Sequence, residues 1–331
     1  MPMRAIRFPG DLLPLTDMLM RTFQYPDHPE WGIREDEQQD VLRTINSLRR
    51  LWPIIRVLQL FSPALRDLFR GFLWEEAGQI VGLVLSARQG TTKTWEVDIV
   101  GVVPEYRGQG IARQLLTRSL DDLRKRGADK AVLGVIGRNV PAYSLYTSVG
   151  FEPFSGLTEF EVTPDGAPQV PPLLDGYEIE SVRRSKSWRI RYELDKRINP
   201  PELTRYQPVV IGRYRPPLLL RPVLPLLRLL QRREMKLLLV RRATGGPPIA
   251  LARYDVPKCA GGCDSIRVQL DPEHPQLADH LVAYHLGRAI ARGPGRRVDL
   301  VVPSWMPAVA DAANRYGFTR RVEYHHMGLT L

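Results

Sequence analysis

The sequence is poor in cysteine, with only Cys259 and Cys263 in 331 residues. A disulfide-stapled scaffold is thereby excluded, and both thiols are expected in the reduced state. No stretch of about 18 uninterrupted apolar residues occurs, so no spanning helix is expected. The opening MPMRAIRFPGDLL has neither the apolar core nor the small-residue cleavage site of a secretory signal. Together these absences predict a cytoplasmic location. The six histidines form no cluster that suggests an acid–base dyad. Cys259 and Cys263 bracket a short loop, but a zinc site needs two more ligands at fitting spacing. His325 and His326 have the right chemistry and nothing links them to that loop, so no metal is expected.

What remains is an ordinary globular composition, 44% hydrophobic and 25% charged. The length suffices for two domains, each with its own core. The net charge of +11 is one-sided: residues 1–165 hold 20 Lys+Arg and 21 Asp+Glu, the remainder 27 and 15. A basic second half could attract nucleic acid, an anionic membrane surface or acidic substrates. Its basic residues are mostly arginine with few interleaved aromatics, and no RNA-binding or helix-turn-helix signature is present. Nucleic acid is therefore not an expected partner, and a solvated arginine-rich surface accounts for the charge.

Strand and helix signals alternate through the first half. RAIRF reads as a strand, and a helical pattern starts at the cap-type residue Asp11. The next helix, residues 35–51, has acidic residues first and basic ones last, as the helix dipole prefers. A hairpin signal follows, FLWEE and QIVGLVLSAR around Ala77–Gly78. TWEVDIVGVV and KAVLGVI read as strands, separated by a helix that Gly127 ends. NVPAYSLYTSVG is a short helix closed by Gly150. Residues 162–176 carry four prolines and two glycines and read as a linker. The same order then returns at an offset of about 166 to 168 residues, with Pro272 against Pro104, Gly293 against Gly127 and Gly317–Phe318 against Gly150–Phe151. The shared order predicts an internal duplication.

The chemically informative stretch is VVPEYRGQGIA, residues 102–112. A strand ends at Pro104 and a helix opens just beyond Gly110. Glycines here clear the approach path so that backbone N–H groups converge on one spot. The helix N-terminus behind them adds partial positive charge. Together these make a diphosphate cradle.

Arg107 to Ala112 fits Gln/Arg-x-x-Gly-x-Gly/Ala, and Asn139 to Phe151 fits Asn-x-x-Ala-x-x-Leu-Tyr-x-x-x-Gly-Phe. Both signatures resemble those of the GNAT acetyltransferases, over roughly residues 3–162. The resemblance implies two tandem α/β (α+β) domains, 1–163 and 177–331, joined by a linker at 164–176. Each would be a mixed, mostly antiparallel twisted sheet flanked by helices, with a splayed parallel strand pair. It implies acetyl-CoA as acyl donor. Val102 and Val103 would pair with pantetheine, and the backbone of Arg107, Gly108, Gln109, Gly110, Ile111 and Ala112 would hold the pyrophosphate. Asn139 would meet the pantetheine. Tyr146 would sit by the thioester sulfur as general acid. The acceptor would be a primary amine on a small molecule or peptide. A sensor or interaction protein that binds acyl-CoA without turnover is the competing reading.

Strand alternation places Glu96, Asp98, Val100 and Val102 on one face and Trp95, Val97, Ile99 and Gly101 on the other, core face. Glu96 is the first choice for the base and Asp98 the second. Some GNAT relatives carry a glutamate on the next strand, where this sequence has Gly134. In the second half the loop reads LDPEHPQLADHL. It has no glycine, Asp271 and Glu273 would repel phosphate, and Pro275 lacks a donor. No coenzyme A is expected there. Two apolar, arginine-bearing stretches, 50–61 and 213–233, read as lids or interdomain contacts, with peripheral contact to lipid or an acyl chain as the alternative. Monomer and homodimer are both left open.

Overall fold

In the computed structural model, the described residues are 2–25, 28–32, 34–61, 70–185, 187–215, 233–257, 263–293 and 295–331. Cys259 and most of the stretch 213–233 lie outside them. Two compact units form. Among the described residues, one comprises Met1–Phe154 with His325–Leu331, the other Ser155–Arg215 with Arg232–Tyr324.

In the first unit, strand β1 (Met3–Ala5) leads to helices α1 (Leu12–Thr22) and α2 (Glu35–Phe61). Strands β2 (Arg70–Glu76), β3 (Gln79–Arg88) and β4 (Thr94–Val102) follow. Helix α3 (Ile111–Lys125) then returns to β5 (Lys130–Ile136), and α4 (Val140–Ser148) closes the run. β1 to β4 pair antiparallel in chain order, and β5 adds parallel to β4. Leu115, Leu116, Leu120 and Leu123 recur at helical spacing on α3 and are buried against the sheet. α3 approaches so closely that a Cβ on Gly82 would lie 3.0 Å from both Ile111 and Leu115. On the other face α1 buries Leu15 and Met18. α2 runs ten residues past the expected end at 51, through Pro53. It takes in the stretch 50–61 and buries Trp52 and Ile55.

The second unit begins in strand β6 (Glu152–Val162), which starts at the end of the first unit. After the irregular stretch 163–176 come β7 (Tyr177–Ser181) and helices α5 (Ser187–Ile198), α6 (Pro201–Tyr206) and α7 (Ile211–Tyr214). Strands β8 (Arg233–Arg242), β9 (Ala250–Pro257) and β10 (Asp264–Leu270) lead to α8 (Ala278–Ile290). β11 (Val298–Pro303), α9 (Pro307–Arg315) and β12 (Thr319–Thr330) complete the chain. β7 to β10 are antiparallel neighbours, β11 is parallel to β10, and β6 pairs antiparallel with β11.

The duplication is visible in the ladders. In each unit an antiparallel series ends in one parallel pair held over four register positions. These run from Thr94↔Lys130 to Val97↔Leu133 and from Asp264↔Val298 to Arg267↔Val301. The two units meet in sequence inside β6, at Phe154–Ser155, and inside β12, at Tyr324–His325. β12 carries Met327 into the core of the first unit, where it is fully buried. Among the described residues, no helix is long and apolar enough to cross a membrane.

Candidate active site

The parallel pair β4–β5 stops at Val97↔Leu133. Beyond it the strands part, as the resemblance implies. Val103 N–H donates to the Val81 carbonyl at 3.0 Å, which makes Val102 and Gly82 a non-hydrogen-bonded antiparallel pair. The backbone groups of Val102 therefore point away from β3 and into the gap that β5 leaves. Val103 does not join it. Its N–H serves Val81 and its carbonyl accepts from Tyr106 N–H at 3.0 Å, so only Val102 of the expected pair faces the gap.

The alternation along β4 is broken. Leu85 pairs with Ile99 but Ser86 pairs with Val97, so Asp98 is an extra, bulged residue with no register partner in β3. The bulge inverts the phase of everything after it. Gly82, Val84 and Ser86 face α3, as the Gly82 contacts and the 3.1 Å hydrogen bond between the Ser86 and Ser119 hydroxyls show. Their partners Val102, Val100 and Val97 share that face. Gly101 faces α1, since a Cβ there would lie 2.6 Å from Thr22 Cγ2. The expected grouping is thus corrected: Trp95, Val97, Val100 and Val102 lie toward α3, and Glu96, Asp98, Ile99 and Gly101 toward α1.

Glu96 and Asp98 consequently line one face beside the gap. Glu96 is exposed and accepts from Gln89 Nε2 at 3.1 Å. Asp98 is exposed as well, with enough protein around it to cost its charge some solvation. This desolvation, followed by the nearby charge of Glu96, pushes its carboxyl up to about 7. Tyr146, on α4, is 7% exposed and packs edge-on to Phe151 with ring centroids 6.2 Å apart. Burial, then the neighbouring Tyr25 phenol, pushes its hydroxyl above the usual phenol range. It therefore keeps its proton throughout the physiological range.

The turn between β4 and α3 has open backbone donors. Among the described residues, no backbone carbonyl accepts from the amides of Gly108 to Arg113; the first helical bond runs from Gln114 N–H to Gly110 O at 3.1 Å. Gly108 and Gly110 have φ of +78° and +76°, in the left-handed region, and a Cβ on either would meet nothing within 4 Å. Open space thus borders a row of unpartnered donors at the start of a 15-residue helix. These features fit a diphosphate.

Arg107 acts otherwise. Its N–H donates to Pro104 O at 3.2 Å, so this amide is not part of the row. Its side chain donates to Val102 O at 3.1 Å and to Thr22 O at 2.8 Å, and lies over the Tyr25 ring at 5.6 Å. It fastens the end of α1 to the end of β4. Asn139 caps α4, its side-chain oxygen accepting from Ala142 N–H at 3.2 Å.

Two features of this site are missing from the sequence reading. Tyr25 stands beside Tyr146 and packs against Trp31, which stacks on His28 at 3.9 Å. A tyrosine next to a proline in a loop carries no pattern that marks it. β12 places His326 Cδ2 3.7 Å from where a Cβ on Gly134 would lie. Only strand pairing distant in sequence brings that histidine there. No group of three or more possible metal ligands occurs among the described residues.

In the second unit the corresponding turn is closed by its own side chains. Asp271 is 6% exposed and pairs with Arg197 at 2.7 Å. Its carboxylate accepts from Glu273 N–H at 3.0 Å and its carbonyl from His274 N–H at 2.9 Å.

A parted parallel strand pair and an amide-lined turn at the start of a helix are the features that the GNAT resemblance implies. Residues 16–151 match the family model described as the Acetyltransferase (GNAT) family. A mycothiol acetyltransferase of Thermobispora bispora is 42% identical over 85 residues, 24% of this chain and 29% of the relative. N-alpha-acetyltransferase 30 of Schizosaccharomyces pombe is 38% identical over 76 residues, 22% of this chain and 51% of the relative. The matches thus span from under a third to about half the length of these relatives.

Two solved structures share the fold across the whole chain. A GCN5-related N-acetyltransferase from Sphaerobacter thermophilus covers 99% of this chain and 96% of its own, with TM-score 0.63 and 16% identity. A tandem GNAT protein from the clavulanic acid biosynthesis pathway covers 99% and 98%, with TM-score 0.63 and 15% identity. Residues 16–151 thus carry the match to the GNAT acetyltransferase family, and the chain as a whole shares its fold with a tandem GNAT protein.

Proposed function

We infer that the first unit is an N-acetyltransferase that moves an acetyl group from acetyl-CoA to a primary amine. The observation that carries this reading is the row of unpartnered amides from Gly108 to Arg113, opening on space beside the gap between β4 and β5. Bound there, the thioester supplies an electrophilic carbonyl and a thiolate leaving group. The amides of Gly108 to Ala112 hold the pyrophosphate. The Val102 N–H, which points into the gap, serves the pantetheine arm or the carbonyl oxygen.

Of the two carboxylates, Asp98 is the better base. It is displaced by the bulge to the edge of the gap, and with its carboxyl near 7 it holds a proton taken from an ammonium group without being too weak to remove it. Glu96 is then the neighbour that keeps Asp98 high. Tyr146, protonated and buried, gives its proton to the departing sulfur. The acceptor is a small-molecule or peptide amine. The names of the relatives point to both kinds, and the short matched segments do not choose between them.

The test is coenzyme A release over a panel of primary amines. Asp98→Asn and Tyr146→Phe are each expected to lower kcat by about 10²- to 10⁴-fold while acetyl-CoA affinity stays as in the wild type. Tight acetyl-CoA binding with no turnover of any amine contradicts the enzyme reading and leaves an acyl-CoA sensor.

A further inference from the structure

Helix α2 of the first unit turns an apolar face to solvent. At 3.6 residues per turn, Leu42, Asn46, Pro53, Ile54, Val57 and Leu60 fall within an arc of about 120°. All six are exposed, Ile54 at 43%, Val57 at 55% and Leu60 at 67%. Trp52 and Ile55, on the opposite side of the helix, are buried, so the helical period holds through Pro53. A lone exposed leucine is ordinary, but several large apolar side chains on one helix face mark a surface that something covers.

The charge on this part of α2 has one sign. Residues 41–61 contain four arginines and no Asp or Glu, and the four acids of the helix all lie in its first six residues. Arg50 falls within the apolar arc, Arg49 and Arg56 along its edge, and all three are exposed. Beside them is a cavity of about 460 Å³, lined by Asn46, Arg49 and Arg50 of α2 and by Pro9, Gly10 and Leu13 at the start of α1. Leu13 is 48% exposed, so apolar surface continues from α2 onto α1. Asp11, next to this rim, is buried and paired with Arg4 at 2.7 Å. The one acid within α1 is Asp17.

This mixture of groups selects the occupant. A second copy of the chain would set the same patch against itself, arginine against arginine. A lipid surface accepts both kinds of side chain: the acyl boundary takes the apolar ones and anionic headgroups take the guanidinium groups, whose stems reach along the interface. We propose that α2 lies on the surface of an anionic lipid bilayer, with Ile54, Val57 and Leu60 at the acyl boundary and a headgroup phosphate in the cavity between Arg49 and Arg50. The helix rests on the bilayer and does not cross it, in keeping with its low apolar content. The proposal is independent of acyl transfer in the first unit.

The experiment is flotation of the full chain with vesicles of phosphatidylcholine alone and of phosphatidylcholine mixed with phosphatidylserine. Binding to the mixed vesicles only is expected, weakening as salt rises. The double variant Val57→Gln with Leu60→Gln changes no charge and is expected to bind at least about tenfold more weakly. Arg49→Gln with Arg50→Gln should weaken binding roughly thirtyfold. Both double variants should keep the wild-type melting curve and acetyl-CoA affinity, since all four residues are exposed. No flotation of the wild type, or equal binding to the two vesicle types, overturns the proposal. Unchanged binding in either double variant does so too, since it marks a general effect of the basic second half. A wild-type dimer in sedimentation that Val57→Gln with Leu60→Gln turns into a monomer also overturns it, with a second copy as the occupant.

Discussion

Asp98 and Glu96 are two solvent-exposed carboxylates on one strand, and the proposed base is the one whose carboxyl is raised. Glu96 is open to water and holds a side-chain amide. Asp98 reaches solvent too, but its carboxyl is raised first by desolvation and then by Glu96. A base must be deprotonated to act, so kcat/KM should rise with pH through about 7 in the wild type. Replacing Glu96 by Gln removes the second cause of the raised value. The acid limb of the profile should therefore move to lower pH in Glu96→Gln, with the plateau reduced far less than in Asp98→Asn. A limb that stays in place would show that Asp98 is not the titrating group. The sequence reading puts Glu96 first, and the proposal puts Asp98 there instead because desolvation depends on what surrounds a side chain.

At the scale of elements, the bulge in β4 and the strand β12 do most to shape the site. Met327 at 0% exposure, with Leu329 and Leu331 beside it, fills the core of the first unit. Leu331 N–H also donates to Asp129 O at 3.0 Å, at the start of β5. Removing His325–Leu331 takes away that core filling and one neighbour of the parting pair. Fully burying a single Met or Leu side chain contributes roughly 1.5–3 kcal/mol. The truncated chain should therefore melt well below the full chain and lose acetyl-CoA affinity; an unchanged melting curve would contradict this packing.

The order of strands and helices, the hairpin at Ala77–Gly78 and the turn at 107–112 were legible because turn residues and hydrophobic spacing are local signals. The phase of β4 was not legible past Val97, since alternation has no mark for an inserted residue. β12 was missed for another reason: its partners lie far away in sequence, and no periodicity names a partner.

For the whole molecule, the two units share a ladder pattern and differ in the turn that follows β4 and β10. In the first, glycines at positive φ and open space leave a row of donors for an external anion. In the second, Asp271 takes the donors that remain and Arg197 neutralises it. One chain should thus bind one acyl carrier. The most direct measurement is calorimetric titration of the pure, folded full chain with acetyl-CoA, beside Gly110→Val, which puts a β-branched side chain on a left-handed backbone position in the cradle. One site per chain is expected, lost in Gly110→Val with the rest of the protein still folded. No binding to the wild type, or two equal sites, would contradict the account.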